Sequence, residues 1–229
     1  MHVCADPKVL YFGTPVVLMS SMNEDGTSNV APISSIWWLG RSAMIGVDTT
    51  SKTTENLLRT EECVVNLASA DLVDSVDRLA LTTGSRVVPR HKAAKGFRHE
   101  PGKFDVAGLT PVPSEFVRAP RIEECKVQME CRVVARHPFG APDADAIAFE
   151  MTVLRTHLAE DLVDAVRPGH VRLDKWSPLI MMFTEFFGVV GPIHTSRLAR
   201  GFGLDHARTS PASPKTRFRD SSAGDRADA

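Results

Sequence analysis

The sequence is poor in the features that usually announce a function. Cysteine occurs four times in 229 residues, at Cys4, Cys63, Cys125 and Cys131, with no C-x-x-C pair and no partner histidines nearby. That spacing excludes a zinc knuckle and a disulfide framework. Neither sign of charge is in excess, since 27 Lys and Arg stand against 28 Asp and Glu, and no long basic run is available to neutralise a phosphate backbone. A nucleic-acid partner is not expected. No apolar run approaches the roughly 20 residues of a membrane span, and Met1–Lys8 lack the charged start and apolar stretch of a signal peptide. The expectation is a cytoplasmic protein with reduced thiols and no membrane partner. The eight histidines are scattered, none at metal-ligand spacing. G-x-G-x-x-G, the P-loop, G-x-S-x-G and H-E-x-x-H are all missing, which closes the usual routes to a Rossmann enzyme, an NTPase, a hydrolase or a zinc protease.

What is present is an ordinary globular composition, 43% hydrophobic and 24% charged. A chain of this size buries roughly 70% of its unfolded surface, so its core needs no cross-links. Apolar residues recur at every second position, a period that only an extended chain turns into one buried face. Cys125, Val127, Met129, Cys131 and Val133 point one way, while Lys126, Gln128, Glu130 and Arg132 point toward an expected wet face. Cys125 and Cys131 then read as small core residues. Ile147, Phe149, Met151 and Val153 continue the pattern after a turn over His137–Asp145, predicting a long hairpin. Val16–Met19 and Val30–Ile33 flank Asp25-Gly26, a tight-turn pair, and predict a second hairpin. Ala43–Val47 and Cys63–Leu67 suit central strands, with a short helix over Glu55–Thr60 between them. A second helix is predicted over Asp71–Leu81 from the spacing of Leu72, Val73, Val76, Leu79 and Ala80. Strands in hairpins with few short helices favour a closed or nearly closed antiparallel barrel with helical decorations. Arg86–Pro120, rich in Gly, Pro and charge, reads as a long loop. From Gly203 onward Ser, Pro, Arg and Asp displace the aliphatics, so residues 203–229 read as a disordered tail behind a domain of residues 1–202.

Two segments carry chemistry. Thr49-Thr50-Ser51-Lys52-Thr53-Thr54-Glu55-Asn56 follows a strand and opens a helix. Unpaired N–H groups at a helix start, clustered hydroxyls and one ammonium suit a phosphate dianion. The same residues also suit ordinary helix capping. Asn29-Val30-Ala31-Pro32-Ile33-Ser34-Ser35 is a strand end in which Pro32 removes a ladder donor, leaving neighbouring main-chain groups and two short hydroxyls for a planar heterocycle. It reads equally as the end of an edge strand.

These segments, with Pro15–Ser20, Asp25-Gly26, Glu62–Leu67, Lys103-Phe104, Gly108–Pro111, Pro120–Glu124 and Glu130–Val134, resemble the flavin reductase-like family over roughly residues 10 to 200. The resemblance implies a mainly β fold with α decorations, the FMN-binding split β-barrel. It implies a homodimer, FMN in a groove near the subunit interface, NAD(P)H as co-substrate, and electrons passed to free flavin, oxygen or a partner monooxygenase. A non-catalytic FMN-binding electron carrier is the alternative. By position, Asn29, Val30, Ala31, Pro32, Ile33, Ser34 and Ser35 resemble the strand end facing the isoalloxazine. Thr50, Ser51, Lys52, Thr53, Thr54 and Asn56 resemble the phosphate-binding turn, with Lys52 neutralising charge. No acid-base residue is implied, because the flavin carries the redox chemistry. Trp176 either stacks on a flavin or fills the core, with Phe183, Phe186 and Phe187 in a segment expected to close the barrel. His91, Lys92, Lys95 and Arg98 either attract nicotinamide phosphates or form a solvated charge run.

Overall fold

The computed structural model describes residues 1–140, 145–194 and 196. Strands form where the alternation predicts them. After β1 (Phe12–Pro15), the first hairpin is β2 (Val17–Met22) and β3 (Ser28–Ile33), turned at Gly26 in the left-handed region, φ +83°. Next come β4 (Ile36–Leu39), β5 (Ser42–Asp48), helix α1 (Lys52–Thr60) and β6 (Glu62–Leu67). A middle stretch holds α2 (Val73–Arg78), β7 (Thr82–Thr83), α3 (Arg90–Ala93), β8 (Arg98–His99), α4 (Lys103–Ala107), β9 (Pro111–Val112) and β10 (Arg121–Ile122). The long hairpin is β11 (Val127–Pro138) with β12 (Ala146–Leu158), and β13 (Leu179–Met182) and β14 (Glu185–Gly188) follow.

Seven strands form one antiparallel sheet in the order β3-β2-β6-β11-β12-β5-β4. Its two edges are consecutive in sequence. Ile33 ends β3 and Ile36 starts β4, three residues apart and therefore within about 11 Å, so the sheet has to roll until its edges nearly meet. Among the described residues no ladder joins β3 to β4, which leaves a barrel split along that seam. Inside the roll pack Val17, Met19, Ile45, Cys63, Phe149 and Met151, with Leu57 of α1 entering the same cluster. The opposite face of the same strands buries Leu18 and Val30 against Val76 of α2 and Phe104 of α4. Successive residues of β2 thus serve two cores, as the two-residue period requires.

Several expectations change. Helix α1 starts at Lys52, three residues earlier than expected, because Ser51 caps it. The predicted 71–81 helix is a 3-10 turn, Ala70–Leu72, followed by the short α2. It ends where Thr82 Oγ1 bonds Leu79 O (2.7 Å) and Leu81 turns left-handed, φ 55°. Residues 86–120 are not a bare loop, since Phe104, Ala107 and Leu109 join the outer core. The expected wet face of β11 is partly dry, for Gln128 and Glu130 are buried. Finally, β13 and β14 do not close the barrel but form a separate three-stranded sheet with β1. There Phe186 packs on the outer core while Phe183 is exposed, its ring 4.9 Å edge-on from Phe12. Trp176 is half-buried. Cys125 and Cys131 are core thiols as expected. One compact unit spans Met1–Gly191, and the expected tail, 203–229, lies outside the described residues. Among the described residues no helix is long and apolar enough to cross a membrane.

Candidate functional site

The start of α1 is built by local hydrogen bonds. Ser51 Oγ accepts from the N–H of Thr54 (3.0 Å) and lies 2.9 Å from the Thr54 hydroxyl, which donates to Asp48 O (2.7 Å). Thr50 donates to Asp48 Oδ1 through both its N–H (2.7 Å) and its hydroxyl (2.5 Å). Asp48 also faces Lys92 Nζ (3.2 Å) and His91 Nε2 (3.3 Å), so α3 is pinned beside the turn. Burial works against ionisation of Asp48. The Thr50 hydroxyl and N–H and the Lys92 ammonium outweigh it and hold the carboxyl below the usual carboxylate range.

These bonds divide the expected phosphate turn. The hydroxyl protons of Thr50, Ser51 and Thr54 are spent on the turn itself, so capping is their work. Asn56 is wholly buried, its amide donating to Ser21 Oγ (3.0 Å) and Asn23 Oδ1 (2.9 Å), and it braces the β2–β3 turn. Left over as donors are Lys52, paired only with its exposed neighbour Glu55 (2.6 Å), the Thr53 hydroxyl, and the first-turn N–H groups that no helix can satisfy internally.

Asn29 joins this turn to β3. It is 2% exposed, and its Nδ2 lies 3.3 Å from Thr53 Oγ1 and 3.5 Å from Ser21 Oγ, while its Oδ1 is buried without a partner. Both hydroxyls can donate as well as accept, so the amide can turn and offer either its oxygen or its NH₂. A buried amide atom left unpaired costs about 1–3 kcal/mol, which a ligand would recover. Gly84 lies against the same group: a Cβ there would stand 2.7 Å from Asn29 Oδ1 and 3.0 Å from Lys52 Cγ, so only glycine fits. A cavity of about 870 Å³ opens here, lined by Asn29, Lys52 and Gly84 among others.

Along β3 Val30 is buried in the outer core, whereas Ala31, Pro32, Ile33, Ser34 and Ser35 are half-buried on the edge beside the seam. Ser35 Oγ lies 2.9 Å from the Tyr11 hydroxyl, and Ser35 O accepts from Gly46 N (2.9 Å). A hydrogen bond joins the two predicted segments at Asn29 and Thr53, while Ser34 and Ser35 lie at the other end of the 29–35 segment. Lys103 enters the sequence reading only through the Lys103-Phe104 pair. It is 3% exposed on α4, which packs against β3, and among the described residues no carboxylate lies within ion-pair distance. Burial first, then the Lys92 charge, push its pKa down to about 8 against the pull of Glu100. A buried cation without a counter-ion is a signal of an anionic ligand that no sequence pattern displays.

A rolled antiparallel sheet left open along one seam, with an orphaned amide oxygen, a lysine and a helix start beside β3, has the split-barrel architecture. The chain belongs to the family described as flavin reductase like domain, whose model matches residues 9–189. It is 37% identical over 185 residues to the uncharacterized protein YdfE of Bacillus subtilis, covering 80% of this chain and 87% of that protein. Among solved structures it is similar to the flavoredoxin of Desulfovibrio vulgaris, TM-score 0.71 at 18% identity, covering 88% of this chain and 100% of that one. It is also similar to nitrilotriacetate monooxygenase component B from Bacillus cereus, TM-score 0.66 at 19% identity, covering 82% of this chain and 89% of that one.

Proposed function

We propose that the protein is a cytoplasmic, homodimeric FMN-binding oxidoreductase that uses NAD(P)H. The observation that carries this reading is the buried, unpaired amide oxygen of Asn29 beside Lys52 at the start of α1. The donor set fits a phosphorylated flavin: Lys52 neutralises phosphate charge, Thr53 and the first-turn N–H groups donate to its oxygens, and Asn29 reaches the adjoining polar chain. Thr50, Ser51, Thr54 and Asn56 hold the turn in shape, and Ala31–Ser35 present half-buried main chain and hydroxyls to the ring. When bound, the flavin supplies the redox chemistry, accepting a hydride from a reduced nicotinamide. Electrons then pass to free flavin, oxygen or a partner monooxygenase, in keeping with the similarity to a protein named monooxygenase component B. The likeness to a flavoredoxin supports a second reading, an FMN-binding electron carrier served by a protein partner.

The test is spectroscopic. After incubation with FMN and gel filtration the protein should retain flavin absorption, and NADH or NADPH should bleach it without oxygen. Retained colour with no bleaching by either nucleotide favours the carrier, and a colourless protein ends both readings. Lys52→Ala with Thr53→Ala should weaken FMN at least about tenfold, since a charge-assisted bond and a neutral one are removed together.

A further inference from the structure

Residues 84–101 border the site at both of their ends. Gly84 lies against Asn29 and Lys52, and the cavity beside that pair is lined by 84–87 from one end of the segment and by 99–101 from the other. The two ends are fastened to each other. Thr82 and Thr83 of β7 pair in parallel with Arg98 and His99 of β8, and Glu100 N donates to Thr83 O (2.8 Å). The chain between them is a strap whose feet stand beside the orphaned amide oxygen of Asn29.

The strap has no apolar anchor. None of its side chains enters a hydrophobic cluster among the described residues, and within 84–101 only Lys92 is buried, at 7% exposure. Arg86, Arg90, Lys95 and Arg98 stay exposed. Apart from one bond to neighbouring Thr83, the hydrogen bonds and ion pairs that tie 84–97 to the rest of the fold, among the described residues, end on Asp48: Lys92 Nζ stands 3.2 Å from Oδ1 and His91 Nε2 3.3 Å from Oδ2. Burying a lysine costs the hydration of its ammonium, so packing alone does not account for Lys92 as the one buried residue here. Asp48 also accepts from the N–H and hydroxyl of Thr50. One carboxylate therefore ties the middle of the strap to the turn that carries Lys52 and Thr53. A segment fastened by polar contacts at one point, with little apolar surface buried, opens at far lower cost than the whole fold.

We infer that this strap gates the flavin site and that Lys92 is the positioning residue that keeps it closed through Asp48, a role that rests on the flavin reading above and adds how the ligand enters and leaves. Released from Asp48, residues 84–97 swing clear of Lys52 and the Asn29 oxygen. Fastened, they shield the phosphate end of the flavin from water.

Limited trypsin digestion and stopped-flow mixing of the full chain with FMN test this, on the wild type, Lys92→Met, His91→Ala and, as a control, the exposed Lys95→Met. Without flavin, cleavage between Arg86 and Arg98 should be about tenfold or more faster in Lys92→Met than in Lys95→Met, because a charge-assisted bond is lost and cleavage follows the open population. His91→Ala, at an exposed position, should give a smaller rise, and bound FMN should slow cleavage of the wild type. In Lys92→Met the association and release of FMN should both speed up by about tenfold while Kd changes much less, since both steps pass through the open strap. A side chain that only supports the fold would not produce that split. Strap cleavage no faster than in Lys95→Met, unchanged FMN rates, or cleavage spread over the whole chain with a lower urea midpoint overturns the gate and leaves the flavin reading intact. If FMN binds none of the four proteins, the flavin reading falls and the gate with it.

Discussion

Lys103 carries an ammonium into a site where water scarcely reaches it. With its pKa at about 8 against an ordinary 10.5, the folded chain releases this proton more readily than the unfolded one. Between those two values the unfolded state binds more protons, so stability attributable to Lys103 rises with pH; below about 8 the whole cost is present, on the order of 3 kcal/mol. Lys103→Met should therefore stabilise the flavin-free protein at pH 7 and do so much less at pH 10, measured by urea denaturation at both. Equal gains at the two pH values would show that the ammonium is not the source. Nothing in the sequence around Lys103 marks it. Its neighbours in space are Lys92 and Glu100, and only the packing of α4 on β3 strips its water. Lys52 and Thr53 were legible for the opposite reason, because a helix start leaves N–H groups unpaired by geometry alone and its ligands lie within one turn.

At the scale of elements, alternation located the strands and misjudged one face. Glu130 on β11 lies where period two predicts solvent, yet its carboxylate is fully buried. It accepts from the N–H groups of Glu115 (3.0 Å), Phe116 (2.6 Å) and Val117 (3.2 Å), and His157 Nε2 on β12 stands 2.7 Å away. Burial raises its pKa, and these donors outweigh burial and keep the carboxyl below its usual range. It ties the 115–117 segment over the outer side of the long hairpin. Such a group contributes stability above its unfolded pKa of about 4.3, which is lost as pH falls through the lower folded value. Glu130→Gln sets an NH₂ against N–H donors, so we expect a loss of roughly 2–4 kcal/mol at pH 7 and a shallower acid limb in denaturation profiles. An unchanged acid limb would show that the carboxylate is not what holds the segment. The 86–120 stretch escaped sequence reading in the same way. Its apolar residues lie in short pieces with no sustained period, and only the outer face of β2 and β3 brings Phe104, Ala107 and Leu109 into one cluster.

For the whole molecule, the decisive feature is the roll of the sheet. Because β3 and β4 lie at opposite edges and are joined by two residues, the strand end at Ser34–Ser35 is held at the seam, with α1 following β5, the neighbour of edge strand β4. A flavin held by Asn29 and Lys52 would add to the bond that already joins β3 to α1, and should stabilise the folded chain. At FMN one hundred times its Kd, binding adds about 2.7 kcal/mol, which for a chain of this size should raise Tm by roughly 5–10 °C. Differential scanning fluorimetry checks this, and the doubly substituted Lys52→Ala, Thr53→Ala protein should show little of the shift at the same concentration. A rise of similar size in that variant would place the flavin elsewhere.

The sequence by itself determined the two hairpins, the tight turn at Asp25-Gly26, the helix after Ser51 and the family, because each is written in contacts a few residues apart, in a period the backbone imposes or in short motifs. The tertiary structure alone decided which of the clustered hydroxyls and amides remain free, that Glu130 and Lys103 are buried, and that β13 and β14 pair with β1 in a separate sheet packed on the outer core. These depend on which surfaces meet when residues a hundred positions apart pack, and local spacing carries no record of that.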